Sequence, residues 1–542
     1  MATHSEKKRK RKGFSSLKMF RSHGTIIIAI IRSIFDWIVD TIFGFIYNDT
    51  QKKQLPPLDE PFLMTSAVSI ADKIRKKQLS SEKVVISFIE RIKQVNPFLN
   101  CVVDECFEKA IQDAKEVDNF LNTTTLSYEG LKTNKPFLGV PFTSKESTAS
   151  KGMKFTFGMI SRKNMVATED AEIVKAMKNA GGILVGVTNI PELNLWSETR
   201  NLVYGQTNNP YDFNRTTGGS SGGEAAALAA SATPLSLGTD IGGSIRMPAF
   251  FCGVFGHKTT AGLISTKGLT FRTGTEKQTM VCSGPMTRYA EDLLPSLKVL
   301  VPEHNLYRLK LDEEVNIKDL NFFYVEDPGD LRISPISEEI KKGIRSTVKH
   351  LEEITGKPAE KISLSGFKHS FTLWRYWMTK EPSRFAWDLG NQKSEVSLIS
   401  EIPKFLTGRC NFTLPSLMQL VQLKVLPPVP SRWAENETNK LRNELTQLLG
   451  NNGVLIFPSH PTPTHYHYTP FFRPYNFGYW AILNTLHLPV TQVPLGLSDK
   501  GLPIGVQVAA GLYNDRLCLA VAKELEQAFG GYVPPFSILS SD

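Results

Sequence analysis

The sequence predicts an α/β protein built on one large sheet with helices covering both faces. Two observations predict it. From about residue 64 onward, helical patterns alternate with short apolar runs, the order expected when helices pack over a sheet. The 542-residue chain is also 41% hydrophobic and 21% charged, an ordinary globular balance with length enough for a large core. No internal repeat breaks the pattern.

The chain opens on a basic tail. Residues 1–24 carry eight lysines and arginines against Glu6, a net of +7 out of +10 for the whole chain. The remaining body is nearly neutral, which excludes nucleic acid as a partner recognised by charge. KKRKRK, from Lys7 to Lys12, reads as a nuclear-import signal or a solvated tail in isolation. Its neighbour points to a membrane instead.

That neighbour, TIIIAIIRSIFDWIVDTIFGFIY (25–47), has the length to span a bilayer, which needs about 20 apolar residues. At helical spacing, Ala29, Arg32, Ser33, Asp36, Asp40 and Gly44 fall on one stripe, with Ile, Phe, Trp and Val around the rest. Two readings follow: a signal-anchor oriented by the basic tail, or an amphipathic helix lying in one leaflet. Three charges inside a lone spanning helix are expensive. Residues 48–63, including QLPPLDEPFL, read as a proline-rich linker into a body over 64–535, and 536–542 as a C-terminal tail.

Within the body the predicted helices are 81–95, 106–121, 169–180, 334–356, 431–448 and 513–529. The predicted strands are 137–144, 183–188, 320–325, 453–457, 490–494 and 504–508. Residues 366–430, rich in aromatics and proline, look like a variable insertion that serves as core, lid or membrane-contacting surface. The six cysteines are scattered, so neither a zinc site nor a disulfide framework is indicated. His465 and His467 form an H-x-H in a proline-rich loop with no cysteine or carboxylate pair nearby, which reads as surface; no metal and no cofactor are expected.

TTGGSSGGEAAALAA, from Thr216 to Ala230, places four glycines and two serines before a strong helix former. A phosphate cradle is excluded because the GK[ST] ending is missing. Gly218 to Gly222 fits G-x-S-x-G, yet that elbow needs an apolar strand before it, and NNPYDFNRTT is not one. After the helix comes a short strand, PLSLG, and then TDIGGSIRMPAF with a second serine, Ser244. Successive small residues there let backbone N–H groups converge on one point, as an oxyanion hole requires. A nucleophilic serine needs a base; Lys145, ending the apolar run LGVPFTS, qualifies if it is buried and loses its proton.

Lys145, GGSSGG and GTDIGGSIRMPAFFCGVFGHK together resemble the amidase signature family, and the resemblance extends over about residues 64–535 through LPVTQVPLG and GLPIGVQVAAG. It implies the amidase signature fold, a large twisted mixed sheet with helices on both faces. It also implies a Lys–Ser–Ser triad in which Ser244 is the nucleophile, Ser220 the bridging serine after a cis Gly219–Ser220 peptide, and Lys145 the base. Backbone N–H groups of Ile241, Gly242, Gly243 and Ser244 would form the oxyanion hole, with Ser221, Asp240 and Arg246 supporting the loops. The aromatics Phe142, Trp196, Phe250, Phe251 and Phe255 are candidates for an acyl channel, although each also fits plain core. The function implied is a membrane-associated serine hydrolase of fatty-acid primary amides and N-acylethanolamines, at an intracellular membrane such as the endoplasmic reticulum or a lipid-droplet surface, with a lipid amide substrate and a homodimer among its partners. The competing readings are a small-amide or ester hydrolase, a non-enzymatic lipid-binding relative, and an amidotransferase A-type subunit.

Overall fold

A computed structural model of the chain describes residues 27–47, 54–276 and 279–539. The basic tail lies outside the described residues, as do the first part of the linker and the last three residues.

Eleven strands form one sheet: β1 (Val102–Glu105), β2 (Pro141–Lys145), β3 (Ile183–Thr188), β4 (Leu235–Asp240), β5 (Phe255–Lys258), β6 (Cys282–Thr287), β7 (Asn321–Tyr324), β8 (Glu360–Lys361), β9 (Gly453–Pro458), β10 (Val490–Leu497) and β11 (Pro503–Ala510). Their order is β1-β3-β2-β4-β6-β5-β10-β11-β9-β7-β8. The sheet is mixed: β3, β2 and β4 run parallel, β4 through β9 pair antiparallel, and β9, β7 and β8 are parallel again. Every residue of β2, β3, β4, β6 and β9 is buried, so both faces of the central strands are covered. This is why β3 (ILVGVT) and β9 (GVLIFP) read as continuous apolar runs rather than alternating ones.

The predicted helices are present with boundaries shifted by a few residues. Ser81–Leu99 begins at Ser80, whose side chain accepts from the Lys83 N–H, and Glu338–Thr355 begins at Ser337 in the same way. As the sequence indicates, the segment before the glycine-serine turn is not an apolar central strand. Asp212–Thr216 is a strand, but a half-buried one paired with Asn208–Asn209 outside the main sheet, not the apolar central strand a nucleophile elbow requires.

Residues 27–47 form a helix, α1. Among the described residues no helix is long and apolar enough to cross a membrane, so of the two readings left open for 25–47 the spanning one finds no support. The charged stripe is the reason: Arg473 donates to Asp36 Oδ1 at 2.9 Å and pairs with Asp40 at 2.8 Å, while Arg32 donates to the Phe472 carbonyl at 3.2 Å. The polar side of α1 therefore faces the body, where Phe35, Phe43 and Tyr47 also make ring contacts, and its isoleucines, Trp37 and Phe45 point away.

Helix α2 (Gly222–Ala229) follows the glycine-serine turn. The insertion is helical rather than irregular: α3 (Ser370–Met378), α4 (Leu398–Leu406) and α5 (Leu414–Val425) follow one another across it. Leu389, Leu417 and Leu420 close a small satellite core with Phe157, Met159 and Leu193, which seats the insertion on the body. Helix α6 (Gly478–Thr485) is wholly buried behind the site.

Candidate active site

Parallel pairing of β2 with β4 brings Lys145, at the end of β2, beside the end of β4 and the loop that follows it. Lys145 has no exposed surface. Its Nζ donates to Ser220 Oγ at 2.6 Å and to Thr239 Oγ1 at 2.9 Å. Burial lowers its pKa from 10.5 to about 7, with the carboxyls of Glu224 and Asp240 acting in the opposite direction. Glu224 is itself fully buried in the first turn of α2, and burial pushes its carboxyl up to about 8. The condition set by the sequence, a lysine buried away from any ion-pair partner, is met among the described residues.

Ser220 follows a cis Gly219–Ser220 peptide bond and is 1% exposed. Gly219 admits no side chain, since a Cβ there would lie 2.3 Å from the Trp196 carbonyl oxygen. The Ser221 N–H donates to the Ser244 carbonyl at 3.1 Å, which ties the glycine-serine turn to the second serine loop.

That second loop is organised by Asp240. Its carboxylate accepts from the Gly243 N–H at 2.7 Å and the Ile245 N–H at 3.1 Å, one on each side of Ser244. Arg246, fully buried, donates to the same carboxylate from Nε at 3.0 Å and to Gln507 Oε1 at 2.6 Å. It also reaches the Trp480 carbonyl and Asn484 Oδ1. Burial drives the Asp240 carboxyl upward, but the charge and hydrogen bonds of Arg246 outweigh it, and the group sits well below the usual carboxylate range.

This arrangement corrects one predicted donor. The Gly243 N–H is taken by Asp240, whereas those of Ile241, Gly242 and Ser244 have no partner among the described residues. Gly243 itself has φ +118°, and a Cβ there would meet Trp480 Cβ at 2.5 Å, so only glycine fits.

Ser244 and Gly219 open onto a slot of about 90 Å³ whose other walls include Trp196, Met247, Phe371, Trp374 and Phe477. Gln419 and Gln422 of α5 and Pro474 flank it. Of the aromatics named from sequence, only Trp196 lines it. Phe142, Phe250, Phe251 and Phe255 are buried in the core.

Sequence reasoning missed Thr239, Trp374 and Phe477. Trp374 Nε1 donates to the Ile241 carbonyl at 2.9 Å and its ring meets Phe477 edge-on at 4.9 Å. Nothing local in FTLWRYW signals that contact; the aromatic density of the insertion was the one clue. His465 and His467 also depart from expectation. They are 6% and 2% exposed, and His465 stacks on His460 beneath Phe251 rather than standing at the surface. Among the described residues no group of three or more His, Cys, Asp or Glu is placed to hold a metal ion.

The family model "Amidase" matches residues 83–519. Human fatty-acid amide hydrolase 2 is 42% identical over 494 residues, covering 88% of this chain and 92% of that protein. The A-type subunit of glutamyl-tRNA(Gln) amidotransferase from Alkaliphilus metalliredigens (strain QYMF) is 28% identical over 488 residues, covering 84% and 94%. A solved structure of fatty acid amide hydrolase superposes with a TM-score of 0.70 at 20% identity, over 91% of this chain and 89% of that one.

Proposed function

The chain belongs to the amidase signature family and hydrolyses amide carbon–nitrogen bonds, and we propose that the amides it cleaves are those of fatty acids, at a membrane surface, through Lys145, Ser220 and Ser244. The observation that carries the catalytic reading is the 2.6 Å bond from a fully buried Lys145 to Ser220 beside an apolar slot that Ser244 enters.

In this scheme neutral Lys145 takes the Ser220 hydroxyl proton as Ser220 takes the proton of Ser244. The Ser244 oxygen then bonds to the amide carbonyl carbon. Negative charge collects on the carbonyl oxygen, where the N–H groups of Ile241, Gly242 and Ser244 are available. One such donor is worth about 10²–10³ in rate in other hydrolases. The proton returns along the same relay to the amide nitrogen, the C–N bond breaks, and amine or ammonia leaves with the acyl group on Ser244. Water, deprotonated through the relay, attacks the acyl ester and releases the fatty acid.

Asp240 and Arg246 hold the loop. Ser221 contributes its N–H to the Ser244 carbonyl. The aromatic slot supports an acyl substrate, as does 42% identity to a fatty-acid amide hydrolase over most of the chain. Outward-facing Ile399, Ile402, Phe405 and Leu406 of α4 support work at a membrane. A fluorophosphonate probe tests the nucleophile: it labels the wild type and leaves Ser244→Ala unlabelled, and labelling that persisted would end the assignment. Turnover on a panel of long-chain amides, N-acylethanolamines, short amides and esters tests the substrate class, and cleavage of short soluble amides alone would return the chain to general amidase chemistry.

A further inference from the structure

Helix α1 is amphipathic the wrong way round for a helix resting on a soluble protein. Arg32 and Asp36 turn inward and half-exposed Asp40 reaches Arg473, whereas Ile31, Ile34, Trp37, Ile42, Phe45 and Ile46 are between 52% and 77% exposed. A continuous apolar face of this kind marks an interaction surface on a soluble protein.

The inward side is electrically closed. Arg473, 4% exposed, bridges Asp36 and Asp40, and Arg32 stands 3.5 Å from Asp36. Two cations meet two anions, so the cluster carries no net charge to be stripped of water when the outer face enters an apolar medium. The same contact zone reaches the slot. Phe472 packs on Phe35 and Phe43, Tyr47 stacks on Tyr466 at 5.5 Å, Phe471 meets Trp196 at 4.8 Å, and Pro474 flanks the slot.

Resting on the membrane reading above, we propose that α1 lies flat on an anionic lipid surface, riveted to the body by Asp36 and Asp40 on Arg473, with its apolar face in the acyl region beside the slot mouth. Lipid is the occupant that matches both of its features. The outer face is aliphatic and aromatic with Ser33 as its polar interruption, and the chain just before it carries +7 over residues 1–24, which complements anionic headgroups. A spanning orientation would instead carry Arg32, Asp36 and Asp40 into the hydrocarbon and pull them from Arg473.

The test uses the full chain, phosphatidylcholine vesicles with and without phosphatidylserine, and the variant Trp37→Glu/Phe45→Glu. The wild type floats with the phosphatidylserine vesicles, and the variant's partition falls by about a hundredfold, the scale of two aromatic side chains lost from an apolar phase. Fluorophosphonate labelling of the unbound variant stays within about twofold of wild type, which reports that the body is folded. In proteoliposomes an epitope tag at the N-terminus is removed by protease added outside, because the tail and the body lie on one side. Protection of that tag would establish spanning and overturn the proposal. Undiminished flotation of the variant would also overturn it, as would a lipid-free dimer that the same two substitutions break, since a second copy would then cover the face. A protein that floats as described but takes no fluorophosphonate label would sink the hydrolase reading and leave the α1 assignment standing.

Discussion

Lys145 Nζ donates to Ser220 Oγ at 2.6 Å from a position with no exposed surface and no carboxylate at ion-pair distance among the described residues. Such a lysine is held chiefly by hydroxyls, so burial governs its proton affinity and brings it from 10.5 to about 7. The base form is the neutral one. Hydrolysis of a short water-soluble amide therefore rises with pH through about 7 and levels off above it. Lys145→Met removes that limb and lowers kcat/KM by about 10²–10⁴-fold. A wild-type rate that stays constant from about pH 6 to pH 8 would remove the lysine from the scheme.

The same shift has a stability consequence with a definite sign. Between about 7 and 10.5 the unfolded chain holds a proton on this lysine that the folded chain does not. More protons on the unfolded side make stability climb with pH across that window. Lys145→Met abolishes this contribution, so the difference in urea midpoint between variant and wild type shrinks as pH rises toward 10.5. A difference that grew with pH would contradict a lysine buried neutral.

Relay residues that act as one unit lose their effects non-additively. Ser220→Ala and Lys145→Met each slow acylation strongly, and the double variant is no slower than Lys145→Met alone, to within about threefold. Stopped-flow acylation by an activated ester measures it. Fully multiplicative losses would mean that the two residues act through separate paths.

Arg246 joins Asp240, Gln507, Asn484 and the Trp480 carbonyl with no exposed surface on its own side chain. Truncating it leaves a buried carboxylate without its cation, at a cost of about 3–5 kcal/mol. Arg246→Ala is thus expected to lower the thermal midpoint by several degrees and to lose labelling. Arg246→Ala/Asp240→Asn recovers part of the stability, because the stranded charge is gone. Absence of that recovery would show that packing, rather than charge, dominates at this position. Asp240 itself adds stability that is present above the ordinary carboxylate range and is lost only when pH falls through its depressed pKa.

What the sequence carried about the site was local, and what it lacked was made by the sheet. Ser220, Ser244 and Asp240 belong to two glycine-rich turns whose spacing is visible on the chain, and Lys145 ends an apolar run. Thr239 joins them because β2 runs parallel to β4, and Trp374 because α3 folds back onto the loop after β4. The stripe of Arg32, Asp36 and Asp40 was equally legible, but not its partner: Arg473 lies 437 residues from Asp36, and a helical wheel cannot distinguish water from a distant guanidinium. For the same reason Gly243 read as an oxyanion donor, since only the fold reveals that Asp240 has already taken its N–H.

Trp374 offers the test of how the insertion serves the site. Its indole N–H holds the Ile241 carbonyl at 2.9 Å. That carbonyl and the Gly242 N–H share one trans peptide and point in opposite directions, so anchoring the first aims the second. The ring itself is wall, meeting Phe477 and lining the slot. Trp374→Phe keeps an aromatic wall and removes the hydrogen bond. With about 1 kcal/mol at stake, kcat falls by roughly fivefold. KM stays within about twofold, since ground-state binding of the acyl chain is retained. Trp374→Ala, which removes both, raises KM as well. If Trp374→Phe altered KM and left kcat intact, Trp374 would be a wall residue only, and the aim of the Gly242 N–H would rest on Asp240 and its neighbours.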